Sequence, residues 1–511
     1  MRKCRFLKIF AILCAIAVLA SCNSGVPTDN ITEPSQEQTK PNEPVGITPD
    51  FRLCYNADDS LNPFDADTAA NCAITRLMFD SLFVCDNSFS PKALVAEKYE
   101  HSGNVVTVTL KQGVTFSDGS LLTASDVSYS YSLAKRSEVY SARLSGIAYA
   151  TVVDDYTIKF VLNSANPYIV ACLDFPIIKN NSSVMPIGSG RYRYVNDVTS
   201  GKFLMINPNY SLGKNDGFEV IELCEITTVD TIAYKIKNGE VDFAFDNLSS
   251  GKLPGISTSC AVVPMSNMVF LGMNSQSQLM QLQAIRNAVR SSIADSQGAV
   301  NAAYGAFAVP SSLPFHPDWY AGVTDYSYES KTPLEYLSAI GYNRLNDDGL
   351  ATNGWYTITL RLVVNNESEQ RVVLADEIAK CLIASGINVN VVKCSYKDYL
   401  AAIKENNYDL YIGEVKLTND MNLSDIFGGY VYYQNYNGYG IDRGNASREA
   451  YNKLLSGEIS INEFADVFMT SCPFVPICFR SGAAIFGRNL GGTHTMLAGD
   501  IFYGISEWTL S

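Results

Sequence analysis

Residues 357–415 read TITLRLVVNNESEQRVVLADEIAKCLIASGINVNVVKCSYKDYLAAIKENNYDLYIGEV, and this stretch decides the fold. Apolar runs rich in β-branched residues at 357–364, 387–392 and 408–415 predict three strands. Between them, residues 373–382 carry an apolar stripe at helical spacing that Gly386 stops, and residues 395–398 form the cap of a second helix. Alternating strands and helices predict an α/β unit with a parallel sheet.

The loop after the third of these strands is the best candidate for ligand contact that the pattern alone provides. In open parallel sheets, ligands bind beyond the carboxyl ends of the strands, where the loops converge. That position corresponds to residues 414–425. We therefore expect ligand-contacting side chains in this segment.

The N-terminal half has the mixed character of an α+β region. Residues 105–110 form a β-rich run, and residues 123–126 form a capping box at the start of a helix. Residues 156–162 then alternate apolar and polar side chains, as a half-buried strand does.

The first 50 residues predict export and a lipid anchor. Four basic residues precede an uncharged run, 9–20, that is too short to span a membrane and is typical of a secretion signal. Leu19-Ala20-Ser21-Cys22 looks like a bacterial lipobox, so we expect residues 1–21 to be a signal peptide and Cys22 to carry the lipid. An ordinary signal peptide that ends near a cysteine is the alternative. Residues 22–50 are polar and rich in proline, and predict a flexible tether of about 30 Å reach.

Composition indicates a large globular body that does not bind nucleic acid. The chain has 47% hydrophobic residues, which is enough for a sizeable core. Removal of the signal takes away four of the 38 Lys and Arg and none of the 52 Asp and Glu, so the net charge falls from -14 to -18. An acidic chain without a basic patch argues against nucleic-acid binding and could favour cationic ligands. A solvated acidic surface is the simpler interpretation.

The cysteines and histidines predict neither a disulfide framework nor a metal site. Ten cysteines remain after Cys22, and we expect most to be buried as small hydrophobes. Only Cys472 and Cys478 are close enough in sequence to suggest a disulfide. The three histidines are far apart, so no metal site and no cofactor are expected. No nucleophile elbow, zinc-protease motif or phosphate loop is present, and the sequence predicts no enzyme.

Ten short motifs in a fixed order resemble the peptide/nickel family of solute-binding proteins of ABC importers, the oligopeptide- and dipeptide-binding group. The most specific is the signature at 110–119 followed by 122–127. The motifs are LNP at 61–63, LKQGVTFSDG at 110–119, LTASDV at 122–127, PIGSGRY at 186–192, NPNY at 207–210, GEVD at 239–242, AIGY at 339–342, INVNV at 387–391, YDL at 408–410 and FVPI at 474–477. Arg191 departs from the family's Gly-Thr-Gly-Pro-Tyr turn, where proline is usual.

The resemblance implies a two-lobe, type II periplasmic-binding-protein-like fold with an extra N-terminal subdomain in lobe I. Lobe I would span 51–270, with the subdomain at about 85–195. Lobe II would span 271–482, and residues 483–511 would return to lobe I. Members of the family close on their ligand by bending at a hinge, and the permease reads the closed state.

The resemblance also implies a set of ligand-binding residues, with one departure. Peptide binders carry an aspartate that pairs with the ligand's α-amine, whereas this chain has Leu417 at that position and Glu414 where an aromatic residue is usual. Asp420 could serve the amine instead, or be a solvated turn residue. The candidate ligand-binding residues are Tyr55, Asn56, Asn274, Glu414, Lys416, Leu417, Asn419, Asp420 and Tyr432.

The predicted function is capture of peptides or peptide-like solutes by a monomeric, lipid-anchored protein on the outer face of the cytoplasmic membrane or in the periplasm. Its partners would be the permease and ATPase subunits of an ABC importer. The tyrosine-rich segment 429–439 suits sugar rings as well as peptides, so an oligosaccharide-binding member is one alternative. A surface protein for sensing or adhesion is the other, and permease and ATPase genes beside this one would argue against it.

Overall fold

A computed structural model describes residues 47–182, 185–197, 201–214, 216–226, 228–251, 259–320, 327–328, 331–428, 441 and 445–511. The predicted signal peptide, Cys22, most of the tether and the tyrosine-rich segment with Tyr432 lie outside these residues. None of the described helices is long and apolar enough to cross a bilayer.

The described residues form 21 strands. In chain order they are β1 (Phe51–Tyr55), β2 (Phe83–Cys85), β3 (Pro91–Ala93), β4 (Ala96–Ser102), β5 (Val105–Leu110), β6 (Ile147–Asp154), β7 (Thr157–Leu162), β8 (Tyr192–Asp197), β9 (Gly201–Ile206), β10 (Val220–Glu225), β11 (Phe243–Asp246), β12 (Cys260–Met273), β13 (Ala308–Pro310), β14 (Arg344–Leu345), β15 (Ala351–Thr352), β16 (Thr359–Asn365), β17 (Asn388–Cys394), β18 (Leu410–Lys416), β19 (Phe474–Phe486), β20 (Leu490–Gly492) and β21 (Trp508–Leu510).

The same residues form 13 α-helices and two short 3-10 turns. The helices are α1 (Ala69–Met78), α2 (Ala124–Ala134), α3 (Val229–Lys237), α4 (Gln278–Gln281), α5 (Gln283–Ser292), α6 (Gln297–Tyr304), α7 (Pro317–Tyr320), α8 (Pro333–Ser338), α9 (Glu369–Ala384), α10 (Tyr396–Lys404), α11 (Ser424–Gly428), α12 (Ala446–Ser456) and α13 (Ile461–Ser471), and the 3-10 turns are Ile169–Cys172 and Ile505–Glu507.

The segment quoted first folds as its pattern predicts. β16 pairs in parallel with β17 and with β18, and α9 and α10 are the two crossover helices. Ser395 caps α10 by accepting a hydrogen bond from the backbone N–H of Asp398 at 3.2 Å. The predicted strands begin about two residues early, because alternation of apolar residues does not show where pairing starts. The prediction did not include β12, which pairs antiparallel with β18 and makes the sheet mixed.

One large sheet runs through the body, in the order β17-β16-β18-β12-β19-β11-β1-β10-β9-β8, with β13 added beside β19. At its centre, β12 and β19 pair antiparallel along almost their whole length. The register between them shifts between Pro264 and Asn267, opposite Ser481 and Arg480. Such a bulge bends a strand locally. The two strands therefore cross from one half of the sheet to the other side by side.

The bulge separates the two lobes. Lobe I here means the sheet half with β1 and β8–β11, together with the ends of β12 and β19 at 260–264 and 481–486. Lobe II means the half with β13 and β16–β18, together with 267–273 and 474–480. Each half has its own apolar core. The lobe limits at 270/271 and 482/483 stay predictions, and they lie close to the bulge.

A four-stranded antiparallel sheet, β4-β5-β7-β6, forms a separate layer with α2 within the N-terminal half. The predicted capping box is present: Asp126 accepts a hydrogen bond from the backbone N–H of Thr123 at 2.9 Å. The predicted alternation is also present, since Ile158, Phe160 and Leu162 are buried.

Several of the ordered motifs contact one another within lobe I. The Asn209 side chain donates to the carbonyl of Ser117 at 3.0 Å, and that of Asn207 donates to the carbonyl of Gly190 at 2.8 Å. A Cβ on Gly190 would lie 2.4 Å from the backbone of Met78 at the end of α1. These motifs therefore hold the lobe together.

All ten cysteines among the described residues have free thiols. The suggested pairing of Cys472 with Cys478 is wrong for this structure, in which both thiols are buried in the lobe II core and Cys472 lies 3.6 Å from the carbonyl of Arg286. Sequence proximity suggested the pair, but the chain turns between them and β19 carries Cys478 away. In the described part of the chain, no three acidic, histidine or cysteine side chains form a metal site.

Candidate ligand cleft

A cavity of about 200 Å³ lies where the two lobes meet the crossing strands. Lobe I contributes one face of α1 and the side chains of Arg143 and Asp174. The crossing strand β12 contributes residues 263–266 at its bulge, and lobe II contributes Lys416 and Asn419. Clefts at domain junctions are a common place for ligand sites.

The lobe I wall of the cavity carries a buried charge cluster. Asp174 is 2% exposed and takes two guanidinium groups on a single oxygen, Oδ2, at 3.3 Å from Arg76 and 2.6 Å from Arg143. The other oxygen, Oδ1, is buried without a hydrogen-bond partner among the described residues. Two cations thus share one carboxylate in a setting with little water, where charges interact strongly.

Two side-chain contacts join the lobes beside the cavity. The amide nitrogen of Asn419, in lobe II, donates to Asp174 Oδ2 at 3.0 Å and to the carbonyl of Ala171 at 3.3 Å. The amide nitrogen of Asn166, in lobe I, donates to Asp420 Oδ2 at 2.8 Å. We call these contacts between lobe I and lobe II the interlobe latches.

Asp420 is not presented to the cavity. Its side chain is 3% exposed and is bound by Asn166 and Thr418. Burial raises the pKa of its carboxyl group, although the hydrogen bonds from Thr418 and Asn166 oppose this change. The predicted pairing of Asp420 with a ligand amine stays untested, and this geometry leaves that carboxylate already occupied.

The carboxylate of Glu414 is also bound by other side chains of the protein. Its Oε1 accepts from Arg480 Nε and from the Asn267 amide, both at 2.9 Å, and its Oε2 accepts from Arg371 at 2.7 Å. Burial favours the neutral acid, but the two guanidinium groups outweigh it and lower the pKa of Glu414 to about 2. Glu414 and its partners therefore form an ion-pair cluster beside the bulge of the crossing strands.

Lys416 differs from its neighbours on this loop. It ends β18, is exposed, and has no hydrogen-bond or ion-pair partner in the part of the chain that the structure describes. Partial desolvation by the protein around it lowers the pKa of its ammonium group, and the positive charge of Arg143 lowers it further. Lys416 is thus a lobe II cation that faces lobe I across the cleft.

Leu417 lies in the core of lobe II. It is 5% exposed, its backbone N–H donates to the carbonyl of Ser266 at 2.9 Å, and its carbonyl accepts from the Ser266 hydroxyl at 2.6 Å. The loop is therefore tied to the bulge of β12. Because the side chain of Leu417 is apolar and packs inward, it offers no charge to a ligand.

The three remaining described candidates do not line the cavity. Tyr55 is buried at the end of β1 beneath the Lys202 ammonium group, which lies 5.0 Å from the ring centre. Asn56 exchanges backbone hydrogen bonds with the buried Asn71 side chain, at 2.8 and 2.9 Å. Asn274 donates to the carbonyl of Tyr408 at 2.8 Å, at the end of β12 remote from the bulge. Their roles in binding stay predictions.

Sequence reasoning missed the residues that form the lobe I wall. Arg76, Arg143 and Asp174 are far apart in the chain, so no local motif brings them together. One signal was present: Asp174 is the single charge in the otherwise apolar run 169–178. A lone buried acid requires a partner, because an unpaired charge in an apolar setting is costly.

The sequence of this chain is similar to those of known proteins. The family description "Bacterial extracellular solute-binding proteins, family 5 Middle" matches residues 90–437. The chain is 24% identical over 319 residues to the glutathione-binding protein GsiB of Salmonella paratyphi A, covering 58% of this chain and 61% of that protein. It is 22% identical over 497 residues to the oligopeptide-binding protein AppA of Bacillus subtilis, covering 84% and 85%.

The fold agrees with solved structures of the same kind. The unliganded open form of MppA, a periplasmic murein tripeptide binding protein, superposes with a TM-score of 0.69 at 18% identity, covering 91% of this chain and 99% of that one. The family match extends over more than half of the sequence and includes both β5 and the candidate ligand loop after β18. This chain belongs to the bacterial extracellular solute-binding proteins of family 5.

Proposed function

We propose that this protein captures peptides or peptide-like solutes between its lobes and delivers them to the permease of an ABC importer. The cavity at the lobe junction carries this proposal, because it is closed on one side by the two crossing strands and on the other by the interlobe latches. The relatives named for binding glutathione and oligopeptides support the solute class.

Lobe closure on a solute is the expected result of the two-lobe architecture. Small-angle scattering of the purified protein should show a smaller radius of gyration after a mixture of tripeptides, or glutathione, is added at saturating concentration. The bulge in β12 allows this movement without breaking either crossing strand. A profile that stays the same with every peptide mixture tried would contradict capture by closure.

We further propose that the protein is lipid-anchored through Cys22 and works outside the cytoplasm as a monomer. The lipobox-like sequence before Cys22 and the polar segment after it support the anchor. Cys22→Ala should release the protein from membranes and leave its body folded, because this position precedes the packed residues. Fractionation after a high-salt wash, with circular dichroism as the folding control, measures both. Retention of the variant in the membrane fraction would contradict anchoring at Cys22.

A further inference from the structure

Neither Glu414 nor Asp420 of the lobe II loop is available to a ligand amine, and the third acid of the loop, Asp425, is exposed and lies outside the cavity lining. Glu414 is bound by two arginines, and Asp420 is bound by Asn166. Leu417, at the place where the resemblance expects an aspartate, is buried. Among the described residues of lobe II, Lys416 is the one ionisable side chain that lines the cavity.

The opposite wall carries two cations that contact one carboxylate oxygen. Arg76 and Arg143 both contact Oδ2 of Asp174, and the Asn419 amide donates a hydrogen bond to the same oxygen. Of the other acids on the lining, Asp67 is exposed, and the Asp500 carboxylate already accepts a hydrogen bond from the backbone N–H of Phe502 at 2.9 Å. The lining thus holds three cations and three acids, and among them the ammonium group of Lys416 has no ion-pair partner in the described part of the chain.

Like charges that face each other across a closing cleft oppose closure unless an anion lies between them. Arg143 is the charged group that acts most strongly on Lys416, and the two residues belong to different lobes. A ligand carboxylate between them would turn this repulsion into attraction. The cavity volume of about 200 Å³ is below the range of about 300–1,000 Å³ that is usual for drug-sized ligands, so the solute is small.

We propose that Lys416 recognises a carboxylate of a small peptide-like solute, so that this lobe II loop selects for an anionic group and not for a free α-ammonium group. This inference rests on the proposed function, since it names the class of solute that the same cleft takes. The carboxylate is either the C-terminus of a peptide or an acidic side chain.

Two synthetic tripeptide libraries test this proposal, one with free C-termini and one with C-terminal amides. Each is passed over the immobilised protein, and the retained members are quantified by mass spectrometry. If Lys416 binds the C-terminus, retention should fall at least about tenfold throughout the amide library. If it binds an acidic side chain, members with Asp or Glu should be retained from both libraries and the others from neither.

Variants assign the effect to this side chain. Lys416→Met keeps the apolar stem, removes the charge, and should lose at least about tenfold of the retention, whereas Lys416→Arg should stay close to wild type. Lys98→Met, at an exposed position of β4 outside the cavity, is the matched control and should change nothing.

The outcomes separate this inference from the proposed function. Two results would overturn the role of Lys416 and leave peptide capture intact. In the first, the wild type retains peptides equally well with and without either kind of carboxylate. In the second, Lys416→Met retains peptides as well as the wild type does. No retention from either library would overturn peptide capture together with it.

Discussion

Glu414→Ala is expected to lower the free energy of unfolding by about 3–5 kcal/mol, because it leaves the buried Arg480 and the partly buried Arg371 without their counter-charge. The Arg480 side chain is 5% exposed, and that of Glu414 is 10% exposed. A charge pair in this setting is worth far more than one in water, and its loss cannot be repaired by solvent. Urea unfolding at pH 7 measures the change.

The pH dependence gives the same prediction an independent check. The pKa of Glu414 is about 2 in the folded protein and about 4.5 as its ordinary value. A carboxyl group with a depressed folded pKa stabilises the protein above its ordinary pKa, and this contribution is lost as the pH falls towards the folded value. The difference between wild type and Glu414→Ala should therefore narrow as the pH falls from about 5 to about 2.

A surface pair in the same lobe provides the control. Lys393 and Asp376 are 2.8 Å apart, but both side chains are about 40% exposed. Asp376→Ala should cost only about 0–1 kcal/mol, because exposed pairs are screened by water. Equal losses for the two variants would contradict a stabilising role for the Glu414 cluster.

Removal of both interlobe latches by Asn166→Ala with Asn419→Ala is expected to weaken solute binding at least about 30-fold. Each latch donates to a buried carboxylate, and the loss of such a hydrogen bond costs about 1–3 kcal/mol. Because the latches join residues of different lobes, we expect lobe opening to break them, and their loss should shift the population towards the open state. Retention of the tripeptide libraries measures binding, and the radius of gyration should be larger than that of the wild type.

Asn163→Ala is the matched control for the latches. Its amide donates to the carbonyl of Ser145 at 2.8 Å, within the same lobe and at an exposed site. This variant should bind and scatter as the wild type does. A double latch variant with unchanged binding and unchanged dimensions would show that the latches do not hold the lobes closed.

The sequence predicted those parts of the fold that depend on local pattern. In the stretch 357–415, apolar residues repeat at strand spacing in some segments and at helix spacing in others, and the two patterns do not overlap. Ser395 lies where α10 begins, and Gly386 lies just after the end of α9. The long strands β12 and β19 were not predicted as a pair, because their partners are about 200 residues apart in the chain. The connection between the lobes therefore depends on pairing between residues that are distant in the chain.

The site was less accessible to sequence reasoning than the fold. The loop at 414–425 was found from strand order alone, and it does reach the cavity through Lys416 and Asn419. Which of its acids remain available could not be predicted, because Arg371, Arg480 and Asn166 lie in other elements. The residues next to a charged side chain in a loop do not show which distant residue it pairs with.

The side-by-side passage of β12 and β19 also bears on how such a protein could be assembled from parts. Pro264 and Ser481 face each other on adjacent strands, which are about 5 Å apart in a sheet. The chain therefore leaves lobe I and re-enters it at neighbouring points, as a tolerated domain insertion requires. We therefore expect that a short turn from 264 to 481 could join the two parts of lobe I without lobe II.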